Sequence, residues 1–281
     1  MEWIEWKDPA RFSDRVMASL LKEEAKNSLM IGVLNNVKQG IYETFHQFTV
    51  EEDGELLAIL QATPPHPLHY IVVKRERSDT LPSFIIRHLL DEEAPFTEVI
   101  SERAQAERFG KTWQELTSGT SEINMSQALY RLDGVEDVDM ANGRMREATP
   151  ADQGQLEAWY SAFEAESGLR SSSPEKVTKA VQLMLEREEA VFWEVDGQVV
   201  SCAKRARPTE NGITVSFVYT SPDARGRGYA RSLVAVLSRK LLETKSFCVL
   251  YTDLTNPTSN KIYQEVGYEQ VMESAWIRLT S

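Results

Sequence analysis

Short apolar, β-branched runs bounded by turn residues alternate along this chain with longer stretches whose apolar positions recur every three or four residues. That mixture of periods predicts a mixed α/β protein. The second half is the more legible. Met145 to Ala148 reads as a strand, and Thr149-Pro150-Ala151-Asp152 opens a helix running through Phe163, with Thr149 as N-cap and Pro150 at the first helical position. A second helix is predicted from about Pro174 to Glu188, then strands over 191–195, 198–206 and 213–220. A helix over 228–243 carries an apolar stripe of Leu233, Val236 and Leu237. A strand over 247–253, a helix over 257–266 and a last strand over 268–279 complete the pattern.

The same plan occurs twice. Phe48-Thr49-Val50-Glu51-Glu52-Asp53-Gly54-Glu55-Leu56-Leu57-Ala58 and Phe192-Trp193-Glu194-Val195-Asp196-Gly197-Gln198-Val199-Val200-Ser201-Cys202 are both apolar strands broken by Asp-Gly, a short-hairpin signal. Met125 to Leu132 closes the first half, and Met272 to Leu279 closes the second at a similar offset. The polar stretch Gly134 to Gly143 between them has linker composition. Two domains are therefore expected, over 1–139 and 140–281.

Composition narrows the classes. Of 281 residues 42% are hydrophobic, enough for two cores, and no apolar run approaches the roughly 20 residues a membrane helix needs. The start, Met1-Glu2-Trp3-Ile4-Glu5, is acidic where a secretory signal would be basic and then apolar. Cys202 and Cys248 sit in apolar runs and read as buried thiols, so a cytoplasmic protein is expected. Of the net charge of −12, residues 1–140 carry nearly all, with 25 acidic against 14 basic side chains. That balance argues against nucleic acid as a partner, and no membrane partner is expected. His66-Pro67-Leu68-His69 is too sparse a donor set to predict a metal.

Two strings carry chemistry. In Val218-Tyr219-Thr220-Ser221-Pro222-Asp223-Ala224-Arg225-Gly226-Arg227-Gly228-Tyr229-Ala230, a strand runs through a glycine loop into a helix. Glycines admit close backbone approach, helix-start N–H groups bind anions, and Arg225 and Arg227 add positive charge. The loop has neither the Gly-Lys-Ser/Thr of a P-loop nor the Rossmann glycine spacing, so a metal-free pyrophosphate is the expected ligand. The second string, Asn256-Pro257-Thr258-Ser259-Asn260-Lys261-Ile262-Tyr263-Gln264-Glu265-Val266-Gly267-Tyr268, is a helix capped by Asn256 and ended by Gly267. It places Ser259 and Tyr263 on one face.

In that order, the two strings resemble the GNAT superfamily of acyl-CoA-dependent N-acetyltransferases. Arg225-Gly226-Arg227-Gly228-Tyr229-Ala230 fits the family's Arg/Gln-x-x-Gly-x-Gly/Ala loop. Asn256, Ser259, Tyr263 and Gly267-Tyr268 fit its second motif, and Met145 to Asp152 is similar to its first strand and helix start. The resemblance implies tandem GNAT-like domains, each a twisted mixed sheet flanked by helices. Acetyl-CoA would be the cosubstrate, with Val218, Tyr219 and Thr220 offering main-chain groups to its pantetheine arm and acetyl carbonyl. Arg225 to Ala230 would hold the pyrophosphate, Asn256 would lie near the coenzyme arm, and Tyr263 would act as catalytic acid toward the leaving thiolate.

The reaction implied is transfer of an acetyl group to a primary amine of a small molecule or peptide, by direct attack through a tetrahedral intermediate. Base candidates are Glu194, Asp253, Glu164 and Glu166, and Glu164, Glu166 and Arg170 would suit a polar or zwitterionic acceptor. A coenzyme A-binding sensor without turnover is the alternative, and an aminoacyl-tRNA-dependent transferase is disfavoured by charge. In the first half, Leu68 to Val73 takes the place of the Val215 to Thr220 strand, but Lys74 to Ser83 contains no glycine. The first domain is accordingly expected to be a degenerate copy.

Overall fold

The computed structural model describes residues 1–91, 96–168 and 171–280. The first pass through the plan comprises β1 (Glu2–Glu5), α1 (Pro9–Leu20), α2 (Ser28–Lys38), β2 (His46–Glu52), β3 (Glu55–Ala62), β4 (Leu68–Val72), α3 (Leu81–Asp91), β5 (Glu98–Glu102), α4 (Arg103–Thr117) and β6 (Thr120–Leu132). The second repeats it element for element. It comprises β7 (Arg144–Glu147), α5 (Gln153–Glu166), α6 (Pro174–Glu186), β8 (Ala190–Val195), β9 (Gln198–Ala206), β10 (Gly212–Thr220), α7 (Tyr229–Leu242), β11 (Phe247–Asp253), α8 (Pro257–Val266) and β12 (Glu269–Thr280). The expected elements of the second half are present within a residue or two, apart from the helix opened by Thr149. There Thr149 caps a 3₁₀ turn, Pro150–Asp152, through a reciprocal capping box with Asp152, and α5 follows.

The chain divides into two compact units. The first contains Met1–Leu129 together with the chain from Gln270 onward, and the second contains Tyr130–Glu269. In the first unit β1, β2, β3 and β4 pair antiparallel, and β4 pairs parallel with β5. The next strand is not β6 but β12, antiparallel, from Ser274↔Glu102 to Arg278↔Glu98. This corrects the expected division at 139/140, in which 268–279 closed the second half. The two closing strands have nearly the same pattern, Met-x-x-Ala-x-x-Arg-Leu and Met-x-Ser-Ala-x-x-Arg-Leu, so the pattern alone does not say which of them pairs with β5.

Packing holds β12 in place. Ala275, Ile277 and Leu279 point into the core that α3 and α4 form with the sheet, against Phe109, Trp113 and Ile85. The Trp113 indole N–H donates to the Thr280 carbonyl at 2.9 Å. Gly119 lies so close to that carbonyl that a Cβ there would overlap it. On the other face α1 and α2 cover the sheet through Phe12, Val16, Leu20, Met30, Ile31 and Leu34. Ile277→Ala is therefore expected to destabilise the first unit by about 2–5 kcal/mol. Hydrogen exchange should show lost protection in β3–β5 and little change in β8–β10; the reverse distribution would contradict the assignment.

In the second unit β7, β8, β9 and β10 pair antiparallel, and β10 pairs parallel with β11. α5 and α6 bury Leu156, Trp159, Val177, Val181 and Met184 against Phe192, Cys202, Phe217 and Tyr219. Cys202 and Cys248 are free and buried, as expected, and burial pushes the Cys248 thiol up to about 12. At the start of the unit, the Arg146 guanidinium makes two bonds of 2.9 and 2.8 Å to Asp152, holding that carboxyl near 2, below its usual 3.8. Because the folded-state pKa is depressed, this contribution is full above the unfolded pKa and is lost as pH falls from about 4 toward 2. Asp152→Ala should cost about 1–2 kcal/mol in urea unfolding at pH 7, with the gap to wild type nearly closed at pH 2.

Candidate functional site

β10 is built to come away from its neighbour. Its ladder with β11 runs through Gly212↔Phe247, Ile213↔Cys248 and Thr214↔Val249. Beyond Thr214 a bulge intervenes on the β9 side, where the register shifts between Ser216 and Tyr219 and Phe217 takes a left-handed φ of 50°. A bulge adds twist and bends its strand. The edge of β10 over 215–220, with Val218, Tyr219 and Thr220, thus carries main-chain groups with no ladder partner on the β11 side.

The strand ends in a loop shaped by glycine. After a 3₁₀ turn at Pro222–Ala224, Gly226 has φ 75° and Gly228 φ 79°, and Gly228 is the N-cap of α7. A Cβ at Gly226 would meet nothing within 4 Å, and one at Gly228 only Arg231 Nη2 at 3.5 Å and Ala141 Cβ at 3.8 Å. No side chain of a described residue caps α7, leaving the N–H groups of its first turn, which begins Tyr229-Ala230, available to an anion. Arg227 is exposed and has no ion-pair or hydrogen-bond partner among the described residues.

Arg225 is differently placed. Its Nη2 donates to both oxygens of Glu166, at 2.9 and 2.7 Å, and its Nε to the Thr220 carbonyl at 3.0 Å. The Tyr219 hydroxyl donates to the same carboxylate at 3.3 Å. The Ser201 hydroxyl, fully buried, donates to the Tyr219 carbonyl at 2.9 Å and also contacts the Thr220 hydroxyl at 2.9 Å. Tyr219, Thr220 and Arg225 are thus joined into one network, to which sequence reading had not assigned Ser201. A small polar residue inside the apolar run of β9 was the available signal.

Asn256 caps α8, its Oδ1 accepting from the Ser259 N–H at 3.1 Å. Tyr263 is buried on the same helix with its ring edge-on to Tyr268, centroids 6.1 Å apart. The two tyrosines differ at the hydroxyl. Tyr268 is tied to Ser238 at 2.9 Å, while Tyr263 makes no hydrogen bond to a described residue. Burial raises the Tyr263 pKa well above 10, so the group carries its proton at neutral pH. No hydrogen bond or ring contact joins Asn256 or Tyr263 to β10 or its loop among the described residues.

Residues 200–277, spanning β9 to most of β12, match the family model described as FR47-like protein. Solved structures match the whole chain. A GNAT-family acetyltransferase from Colwellia psychrerythraea is 12% identical, with 99% of each chain covered and a TM-score of 0.60. A GCN5-related N-acetyltransferase from Sphaerobacter thermophilus is 14% identical over 98% of this chain and 95% of that one, at 0.66. A tandem GNAT protein from the clavulanic acid biosynthesis pathway is 13% identical over 99% and 98%, at 0.61. The chain has the tandem GNAT fold. No curated protein sequence matches it.

The first GNAT unit lacks what opens the second. β4 pairs with β3 without a register shift, from Ala58↔Val72 to Gln61↔His69. The split between β4 and β5 is spanned by the Ser101 hydroxyl, which donates to the Tyr70 carbonyl at 2.6 Å. The segment after β4 is tied to α4 by Gln105 donating to Ser78 at 3.3 Å and by an Arg108–Asp79 ion pair at 3.2 Å. The first unit has these contacts, and no glycine in Lys74 to Ser83, after β4, where the second unit has a glycine loop after β10.

Each of the four candidate bases is bonded to neighbouring groups. Glu194 is paired with Arg144 and Arg146, both at 2.9 Å, and its pKa is lowered by those bonds. Asp253 accepts from the Thr255 N–H and hydroxyl, each at 2.7 Å. Glu164 is buried and accepts from the Ser172 N–H and hydroxyl at 2.9 and 2.8 Å, fastening the chain beyond α5. Glu166 is held by Arg225, and Arg170 lies outside the described residues. Among the described residues no cluster of three or more His, Cys, Asp or Glu side chains is arranged to hold a metal ion. None of the described helices is long and apolar enough to cross a membrane.

Proposed function

We propose that the second unit is an N-acetyltransferase, moving an acetyl group from acetyl-CoA to a primary amine of a small molecule or peptide. The observation that carries this reading is the continuous run from the unladdered edge of β10, through the two left-handed glycines, to the uncapped start of α7. The GNAT fold of the whole chain, and the acetyltransferase names of proteins sharing it, support it. Open space at both glycine Cβ positions, free helix-start N–H groups and the unpaired Arg227 are the chemistry a pyrophosphate needs.

When bound, acetyl-CoA would supply an activated acyl carbon and a thiolate leaving group. The main-chain groups of Val218, Tyr219 and Thr220 orient the acyl arm along the strand edge and offer N–H donors where negative charge develops. Gly226 to Ala230 and Arg227 hold the phosphates, and Asn256 fixes the start of α8. Tyr263, protonated throughout the neutral range, delivers a proton to the leaving sulfur. The first unit, with no glycine in Lys74 to Ser83 after β4, serves no coenzyme in this reading.

Isothermal titration with acetyl-CoA should give one site per chain, and a panel of primary amines should then release free thiol. Binding by neither unit, or by both, would overturn the assignment. That all four candidate bases are already bonded favours one other reading, a coenzyme A sensor without turnover. Thiol release with any amine rejects it.

A further inference from the structure

The Arg225–Glu166 ion pair spans from the coenzyme loop to the end of α5. Both side chains are nearly half exposed, 46% and 47%, and a pair so open to water contributes little to stability. Its geometry is also incomplete. Nη2 alone serves both carboxylate oxygens, Nε is used by the Thr220 carbonyl, and Nη1 donates to no described residue. A guanidinium binds anions best by presenting two nitrogens side by side, which Glu166 does not receive. The guanidinium carbon lies 5.5 Å from the centre of the Tyr219 ring, next to the strand end that leads into the loop.

The loop's two arginines are therefore in unequal states. Among the described residues Arg227 is unpaired, whereas the charge of Arg225 is neutralised from within by one carboxylate. A pyrophosphate in the loop would present two negative charges beside free backbone donors, a stronger field for Arg225 than the one carboxylate it holds.

We propose that Glu166 is an internal competitor for the coenzyme's phosphates, holding Arg225 until a pyrophosphate occupies the loop and then giving it up. The inference rests on the acetyltransferase reading, which puts a pyrophosphate there. It makes Glu166 a positioning residue that sets coenzyme affinity below what the loop alone would reach. It also links that affinity to the end of α5, since the exchange leaves the carboxylate beside Tyr219 without its cation.

The test is isothermal titration of coenzyme A into wild type, Glu166→Gln, Arg225→Gln and the double variant, at low and high salt, with thermal midpoints confirming that each is folded. Glu166→Gln should bind about two- to fivefold tighter at low salt, the gain fading as salt screens the pair. Arg225→Gln should bind more weakly, and adding Glu166→Gln to it should restore nothing. A merely structural pair gives the opposite sign, because loosening the loop weakens binding. Unchanged or weaker binding by Glu166→Gln, or the same gain with Arg225 absent, overturns the exchange. Absence of binding by wild type overturns the acetyltransferase reading itself, whereas wild-type binding without the gain overturns only the exchange.

Discussion

Tyr263→Phe is expected to slow acetyl transfer by about 10²–10⁴-fold, the range for losing a positioned proton donor, while acetyl-CoA affinity stays within about twofold. The assay is thiol release with an amine that the wild type acetylates, with titration of acetyl-CoA in parallel. Stability should hardly change, because the Tyr263 hydroxyl has no partner among the described residues to leave unpaired. Tyr268→Phe is the useful contrast, since it strips the buried Ser238 hydroxyl of its partner and should lower stability. The pH profile adds a sign. Burial raises the Tyr263 pKa above its ordinary 10, so the acid form persists and no alkaline fall below pH 10 is due to this group. If Tyr263→Phe keeps activity within threefold of wild type, Tyr263 is a packed aromatic and nothing more.

Gly228→Trp is expected to weaken acetyl-CoA binding more than 100-fold, to the limit of titration. Two effects act together. A side chain at φ 79° is strained, by about 1–2 kcal/mol, and an indole there enters the space that the bare Cα leaves open beside Arg231 and Ala141. Gly228→Ala separates the two, because it pays the strain with only one added carbon and should bind within about tenfold of wild type. Circular dichroism and the thermal midpoint establish that both variants fold. Equal binding by Gly228→Trp and wild type would mean that the loop is a surface turn.

Much of this was legible from short-range pattern. The Asp-Gly hairpins, the Thr149 and Asn256 caps, the Pro150 and Pro257 helix starts and the Gly267 stop each act through the backbone of their own few residues, so the sequence specifies them directly. The missing glycines of Lys74 to Ser83 were legible too. The contacts around the end of β4 were not, since Ser101, Gln105 and Arg108 reach Tyr70, Ser78 and Asp79 across the fold. The four candidate bases were plausible as isolated carboxylates. Only the structure shows their partners, Arg144 and Arg146 for Glu194, Arg225 for Glu166, Thr255 for Asp253 and Ser172 for Glu164.

The sequence by itself determined the repeat, the order and type of the elements in its second half and the backbone shape of the glycine loop, because these depend on local periodicity, capping and the left-handed freedom of glycine. Only the tertiary structure decided that β12 closes the first unit, since the two closing strands share one residue pattern and it is Ala275, Ile277 and Leu279 that join the core around Phe109 and Trp113. It alone decided the bulge at Phe217, where a non-glycine residue adopts a left-handed φ that no local signal foretells. The Arg225–Glu166 pair depends likewise on packing α5 against β10, which brings together side chains 59 positions apart.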